Sequence, residues 1–202
     1  MTIDPRESNY LDVYKLMIGS IVPRPIAFVS TLSRDGIRNL APFSFFTGVS
    51  ANPPIVAFCP TRRLGPHPTK DTLDNIVATR EFVVNIVSEE FAEQMNITSG
   101  EYPPGVDEFE ISGLTPVPSE LVKPPRVLES HVHMECKLYL TIDISELPGG
   151  GALVLGEVLR FHVDNEYVDN FKIDPAKLRA IGRMGGATYT RTTDRFEMIR
   201  PK

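Results

Sequence analysis

Cysteine is scarce in this chain. There are two in 202 residues, Cys59 and Cys136. They stand apart, so no disulfide framework, CxxC redox pair or metal set is available, and both read as small buried residues on strands. No Lys/Arg-rich run occurs, and there is no zinc spacing or RNA-binding signature. With 21 basic against 26 acidic residues the formal net charge is −5, which ill suits an anionic surface. No apolar run approaches the ~20 residues needed to span a bilayer. The N-terminal MTIDPRESNY has no basic segment leading into an apolar one, so no signal peptide is visible. Together these absences favour a soluble cytoplasmic protein with neither a membrane nor a nucleic acid as partner. Internal repeats and low-complexity linkers are also missing. So is a G-x-G-x-x-G that follows a strand and opens a helix: Gly149-Gly150-Gly151 has hairpin context, and Gly182-x-x-Gly185-Gly186 is wrongly spaced.

What is present is an ordinary globular composition, 42% hydrophobic and 23% charged. Residues 1–202 suffice for one substantial domain with its own core. The spacing of Leu11, Tyr14 and Ile18 predicts a short helix over Tyr10 to Met17. Ile55 to Cys59 reads as a buried strand past Asn52-Pro53-Pro54. Thr61 to Pro68 reads as a loop. A helix capped by Thr69 or Asp71 follows through Thr79, with Leu73, Ile76 and Val77 on one face. Glu81 to Val87 is a strand, and Ser88 caps a helix through Met95. Six prolines between Ile97 and Arg126 (103, 104, 116, 118, 124 and 125) exclude a long helix there. The period of two from Val132 to Ile144 predicts a strand from His131 to Leu147, with one face on a core. After Pro148-Gly149-Gly150-Gly151, Ala152 to Val163 is its partner, with Gly156 marking a bulge or close approach. Asp174-Pro175 starts a short helix. Gly182 to Gly186 is a glycine-rich loop before a β-prone tail. Strands in hairpin-like pairs with short helices between them give a mainly β, α+β fold, an antiparallel barrel with helical covers.

The richest stretch runs from Ser20 to Phe46, SIVPRPIAFVSTLSRDGIRNLAPFSFF. Pro25 to Leu32 is apolar and β-rich. Asp35-Gly36 supplies a tight turn, and Ile37 to Phe46 returns. Pro42 has no N–H and is unfit for a regular central ladder. The plain reading is a hairpin with an edge proline. The alternative is an irregular Asn39-to-Ser44 segment whose free backbone groups face a flat, polar-edged ligand.

VPRPIAFVST followed by G-x-x-NLAPFSFF resembles the flavin reductase-like family of FMN-binding split barrels. That family includes flavoredoxins and the reductase components of two-component monooxygenases. Asn52-Pro53-Pro54, Lys70-Asp71-Thr72, Val106 to Phe109, Met134-Glu135-Cys136, Val154 to Val158 and Ile181-Gly182-Arg183 extend the likeness over roughly residues 10 to 190. It implies a six-stranded split barrel, commonly a homodimer, that binds FMN and takes electrons from NADH or NADPH. Such reductases lack a Rossmann domain, so the missing dinucleotide motif is no objection.

A flavin brings its own redox chemistry, which leaves the protein to bind and tune it. Neither a catalytic triad nor a carboxylate pair stands out. Ser30, Thr31, Lys70 and Thr72 are candidates for the phosphate, since hydroxyls, a cation and a helix N-terminus suit an anion. Asp71 suits a cap better. Asn39, Leu40, Ala41, Pro42, Phe43 and Ser44 are candidates for the isoalloxazine edge, although Phe43, Phe45 and Phe46 also fit a core. Arg24, held between two prolines, and Arg183 are candidates for balancing charge on reduced flavin. His67 is a candidate for the nicotinamide side. His131 and His133 share a strand face but lack a third ligand, so no metal site is expected. The leading reading is an NAD(P)H-dependent flavin reductase passing electrons to a small molecule or an acceptor protein. A flavoredoxin-like carrier fed by a protein donor is the alternative.

Overall fold

A computed structural model describes residues 1–62, 69–103 and 105–201. Helix α1 spans Tyr10–Ser20. Strands β1 (Ala27–Leu32), β2 (Arg38–Phe43), β3 (Phe46–Ala51) and β4 (Pro54–Phe58) lead to α2 (Asp71–Thr79) and β5 (Glu81–Ile86). A 3-10 turn at Glu89–Phe91 runs into α3 (Ala92–Ile97), and α4 is Glu108–Ser112. Short strands β6 (Pro116–Val117) and β7 (Arg126–Val127) precede the long β8 (Val132–Asp143) and β9 (Ala152–Val163). A second 3-10 turn, Asn165–Tyr167, leads into the C-terminal part, which holds β10 (Val168–Asp169), β11 (Lys172–Ile173), α5 (Pro175–Leu178), β12 (Ile181–Arg183) and β13 (Tyr189–Arg191).

Seven strands form one antiparallel sheet in the order β2-β1-β5-β8-β9-β4-β3. The resemblance implied six. The sheet curls on itself: Phe43 of edge strand β2 meets Phe58 of β4 with ring centroids 5.1 Å apart, and Phe58 meets Phe82 at 5.6 Å. Ala27, Val29, Val84, Leu138 and Val154 fill this barrel core, and Leu73 and Ile76 of α2 close onto it. A second core lies outside the β1–β2 face, where Phe28 and Leu40 pack with Phe91, Met95, Phe109 and Ile181. Strand β1 therefore has apolar layers on both sides, and its side chains read as a continuous buried run.

Several expectations need correction. Helix α1 runs on to Ser20, and of its three predicted apolar residues only Ile18 is buried. Lys70, not Thr69 or Asp71, occupies the N-cap of α2, and Val77 is exposed. The predicted helix after Ser88 is split between the 3-10 turn and α3. The stretch from Ile97 to Arg126 holds α4 and the β6–β7 ladder rather than irregular chain alone. The period of two in β8 does not keep one face inward: Leu138 is buried, but Leu140, Ile142 and Ile144 are exposed. The register shift after Leu138 leaves Tyr139 as an extra residue on β8, which reverses the phase of its pleat, while the shift after Glu135 leaves Leu159 extra on β9. Gly182 and Arg183 lie in β12, not in a loop. Gly156 meets expectation, because a Cβ there would stand 2.2 Å from Phe82 Cζ. Asp174 caps α5 by accepting the N–H groups of Ala176 and Lys177.

Candidate functional site

Strand β2, the start of α2, the Thr98–Gly100 turn after α3 and the first residue of α4 border one cleft. Asn39–Phe43 belongs to a regular strand, paired residue for residue with β1 from Phe43↔Ala27 to Arg38↔Leu32. The expected irregular backbone is absent. Leu40 N–H points off the sheet edge and donates to Glu108 Oε2 at 3.0 Å. By strand alternation position 42 faces off the same edge. A proline there leaves no donor unsatisfied, which is why an edge strand tolerates it. The free N–H groups expected of this stretch are thereby reduced, and side chains take a larger share of the site.

Asn39 is the hub of these side chains. Its Nδ2 donates to Glu108 Oε1 at 3.0 Å, and its Oδ1 accepts the hydroxyls of Thr72 at 2.7 Å and Thr31 at 3.3 Å. Asn75 Nδ2 in turn donates to Thr31 Oγ1 at 3.0 Å. The carboxylate can only accept from the amide, so the partners fix which way Asn39 points. Thr31, Asn39, Thr72 and Glu108 are all buried. Burial raises the Glu108 carboxyl above its ordinary value against the N–H groups of Leu40, of Glu108 itself and of the Asn39 amide, which favour its charge, and nearby Asp71 adds to the rise.

Of the predicted residues, Asn39, Ala41, Pro42, Phe43, Ser44, Lys70 and Thr72 line this cleft. Thr31 lies beneath Asn39 rather than on the surface. Ser30 and Leu40 do not join them. Register pairs them on the opposite face of the β1–β2 ribbon, where Ser30 donates to the Pro125 carbonyl and Leu40 enters the second core. Arg24 and Arg183 border an adjoining cavity that shares Tyr14, Pro42, Ser44 and Ser99 with the cleft. Arg24 is buried. Its Nη1 donates to the carbonyls of Ile18 and Ile21, its Nη2 to that of Met184, and its Nε to Ser44 Oγ at 3.3 Å. His67 lies outside the described residues.

Sequence reasoning missed Tyr14, Phe45, Cys59, Asp71, Thr98 to Gly100 and Glu108 as cleft residues. Tyr14 and Phe45 meet edge to face at 6.4 Å. Burial pushes the Cys59 thiol up, away from a reactive thiolate. A signal for Glu108 was available: Asp107 accepts the Phe109 N–H at 2.9 Å and caps α4, which places Glu108 in its first turn. The histidines lie elsewhere. His131 stacks on Tyr167 at 4.0 Å, and His133 and His162 face each other across β8 and β9. Among the described residues no three His, Cys, Asp or Glu side chains form a metal-binding group, and no helix is long and apolar enough to cross a membrane.

An antiparallel split barrel with a polar cleft between its edge strand and a helix N-terminus defines a class of flavin-handling folds, and the comparisons agree. Residues 18–176 match the family model described as flavin reductase like domain. The chain is 37% identical to the crystal structure of nitrilotriacetate monooxygenase component B from Bacillus cereus, covering 98% of both chains with a TM-score of 0.93. It is 32% identical to the 2-nitrobenzoate 2-nitroreductase NbaA of Pseudomonas fluorescens, covering 100% of this chain and 96% of that one, with a TM-score of 0.89. An uncharacterized protein of Aquifex aeolicus is 44% identical over 187 residues, 92% of this chain and 93% of the relative. The chain belongs to the flavin reductase-like family, and it is an oxidoreductase of the FMN-binding split-barrel type.

Proposed function

We propose that residues 1–202 act as a single FMN-binding domain that takes electrons from NADH or NADPH and passes them to an acceptor. The observation that carries this reading is the cleft itself. A preorganised amide, Asn39, lies on an edge strand that ends just before Ser44, and across from it Lys70 and Thr72 sit at the start of a nine-residue helix.

These residues fit FMN. Lys70, the N-terminal N–H groups of α2 and its dipole suit a phosphate. Asn39, Ala41, Pro42, Phe43 and Ser44 would border the ring system, and Thr31 and Thr72 would hold the Asn39 amide still beneath it. Asp71 opposes an anion, so the phosphate would sit toward Lys70. The buried Arg24 guanidinium, bonded to Ser44, would place positive potential behind the ring edge and favour the reduced, anionic flavin. Bound FMN supplies hydride acceptance and electron release; the chain supplies orientation, electrostatics and exclusion of water.

The relatives support an acceptor outside the domain, since one is named as a component of a monooxygenase and another as a nitroreductase. A cytoplasmic homodimer working with a partner oxygenase, or with a small acceptor directly, fits this reading. Anaerobic titration of the FMN-reconstituted protein with NADH and then NADPH tests it. Bleaching of the oxidised-flavin band at stoichiometric nucleotide, faster than for free FMN, is expected. Bound flavin that resists both nucleotides yet accepts electrons from dithionite would replace the reductase with a carrier.

A further inference from the structure

Beside the flavin cleft lies a cavity of about 400 Å³ bordered by Tyr14, Arg24, Ser44, Ser99, Arg183 and Tyr189. Among the described residues no carboxylate lines it. Arg24 and Arg183 are joined by an antiparallel bridge, with Arg24 N–H on Arg183 O at 2.9 Å and Arg183 N–H on Arg24 O at 2.8 Å. Such a pair puts its Cα atoms about 5.5 Å apart and both side chains on one face.

Two cations facing each other across a ladder destabilise it. The charge of Arg24 is answered by the carbonyls of Ile18, Ile21 and Met184. Burial and the neighbouring Arg183 still hold its guanidinium below the usual arginine range. Arg183 has less. Its Nη2 donates to the Gly186 carbonyl at 2.6 Å, its guanidinium lies 4.4 Å over the Tyr189 ring, and it is only half-buried. Among the described residues neither arginine forms an ion pair with a carboxylate. The site thus holds two positive charges on one face, an aromatic wall and no internal anion.

We propose that Arg183, with Arg24 behind it, forms the seat for the pyrophosphate of a dinucleotide that lies against the flavin cleft. The proposal rests on reading that cleft as a flavin site. The shared walls at Tyr14, Pro42, Ser44 and Ser99 make the two sites one continuous surface. A hydride donor held by its phosphates at Arg183 therefore has its other end beside the flavin. The arrangement replaces the Rossmann phosphate loop that this chain lacks, using guanidinium groups in place of a helix N-terminus.

The test is calorimetric titration of the FMN-loaded protein with ADP-ribose, which carries the dinucleotide's pyrophosphate without its nicotinamide. Wild type is expected to bind it, and Arg183→Gln to bind it about 10- to 100-fold more weakly, as loss of a charge-assisted contact implies. Arg183→Lys should recover part of the affinity, and FMN affinity should be the same in all three. Equal ADP-ribose affinity in wild type and Arg183→Gln, or no binding by wild type, overturns the proposal. Displacement of FMN by ADP-ribose also overturns it, because the seat would then belong to the flavin's own phosphate. If ADP-ribose binds in an Arg183-dependent way but neither NADH nor NADPH reduces the flavin, the seat stands and the reductase reading fails.

Discussion

The hydroxyl of Thr72 donates to Asn39 Oδ1 at 2.7 Å, tying the first turn of α2 to the middle of edge strand β2. These two elements form opposite banks of the cleft, so this one bond sets its width. Both residues are buried, and Glu108 and Thr31 complete the hydrogen bonding of the same amide.

Asn39→Ala removes an acceptor from two hydroxyls and a donor from a buried carboxyl. Leaving such groups unpaired costs about 1–3 kcal/mol. Urea denaturation should show a loss of that size, and fluorescence titration should show weaker FMN binding. Full stability with full FMN affinity would remove Asn39 from the centre of the site.

Glu108 is held above its ordinary carboxyl value by burial. Native protein therefore binds more protons than unfolded chain between the unfolded value, about 4.5, and the raised native one. Wild-type stability should fall as pH rises through that window and level off above it. Glu108→Gln does not titrate. Its amide faces one of the N–H donors with another donor, so the variant starts less stable at low pH. The gap between the two proteins should narrow as pH rises; a gap that widens would reverse the assigned shift.

His133 responds to pH in the opposite sense. Burial lowers its value to about 4, helped by the charge of Arg126. Asn85 Oδ1 accepts from Val127 N–H and lies 2.9 Å from His133 Nδ1, so the ring is neutral with its proton on Nδ1. The unfolded chain takes up this proton near pH 6.5. Stability is therefore complete above that value and falls between pH 6.5 and 4, by about 3 kcal/mol for a shift of this size. His133→Phe should flatten this part of the stability profile. An unchanged slope would assign the acid loss to other groups.

Gly156→Ala would drive a methyl into the Phe82 ring. Overpacking of this kind costs about 1–3 kcal/mol. Phe82→Leu in the same chain should recover part of that loss, giving a favourable coupling in a double-mutant cycle. Additive effects would place the strain elsewhere.

Much of this was legible from local pattern. Asp35-Gly36 announced the β1–β2 turn, and Gly36 has φ +83°. Asp174-Pro175 announced α5. The partner strand read over Ala152 to Val163, after the Pro148-to-Gly151 turn, is β9 with those ends, and Gly156 marks the close approach of Phe82. Lys70, Thr72 and the Asn39-to-Ser44 stretch were nominated separately, and all of them but Leu40 line one cleft. Ser30 and Leu40 lie on the other face of the β1–β2 ribbon because adjacent strand residues face opposite sides, and no local signal says which side the cleft is on.

The amino-acid sequence by itself determined the antiparallel β class, the β1–β2 turn, the Asp174 cap, the edge proline and the family motifs. All of these arise from neighbouring residues, through fixed φ, absent donors and side-chain period. The tertiary structure decided what depends on distant partners. Asn39 finds Thr72 across 33 residues and Glu108 across 69, and Arg24 finds Met184 across 160. The bulge at Tyr139 in β8 reverses which residues face inward. Such outcomes follow from competition among many strand pairings for one buried volume, a balance that no single segment encodes.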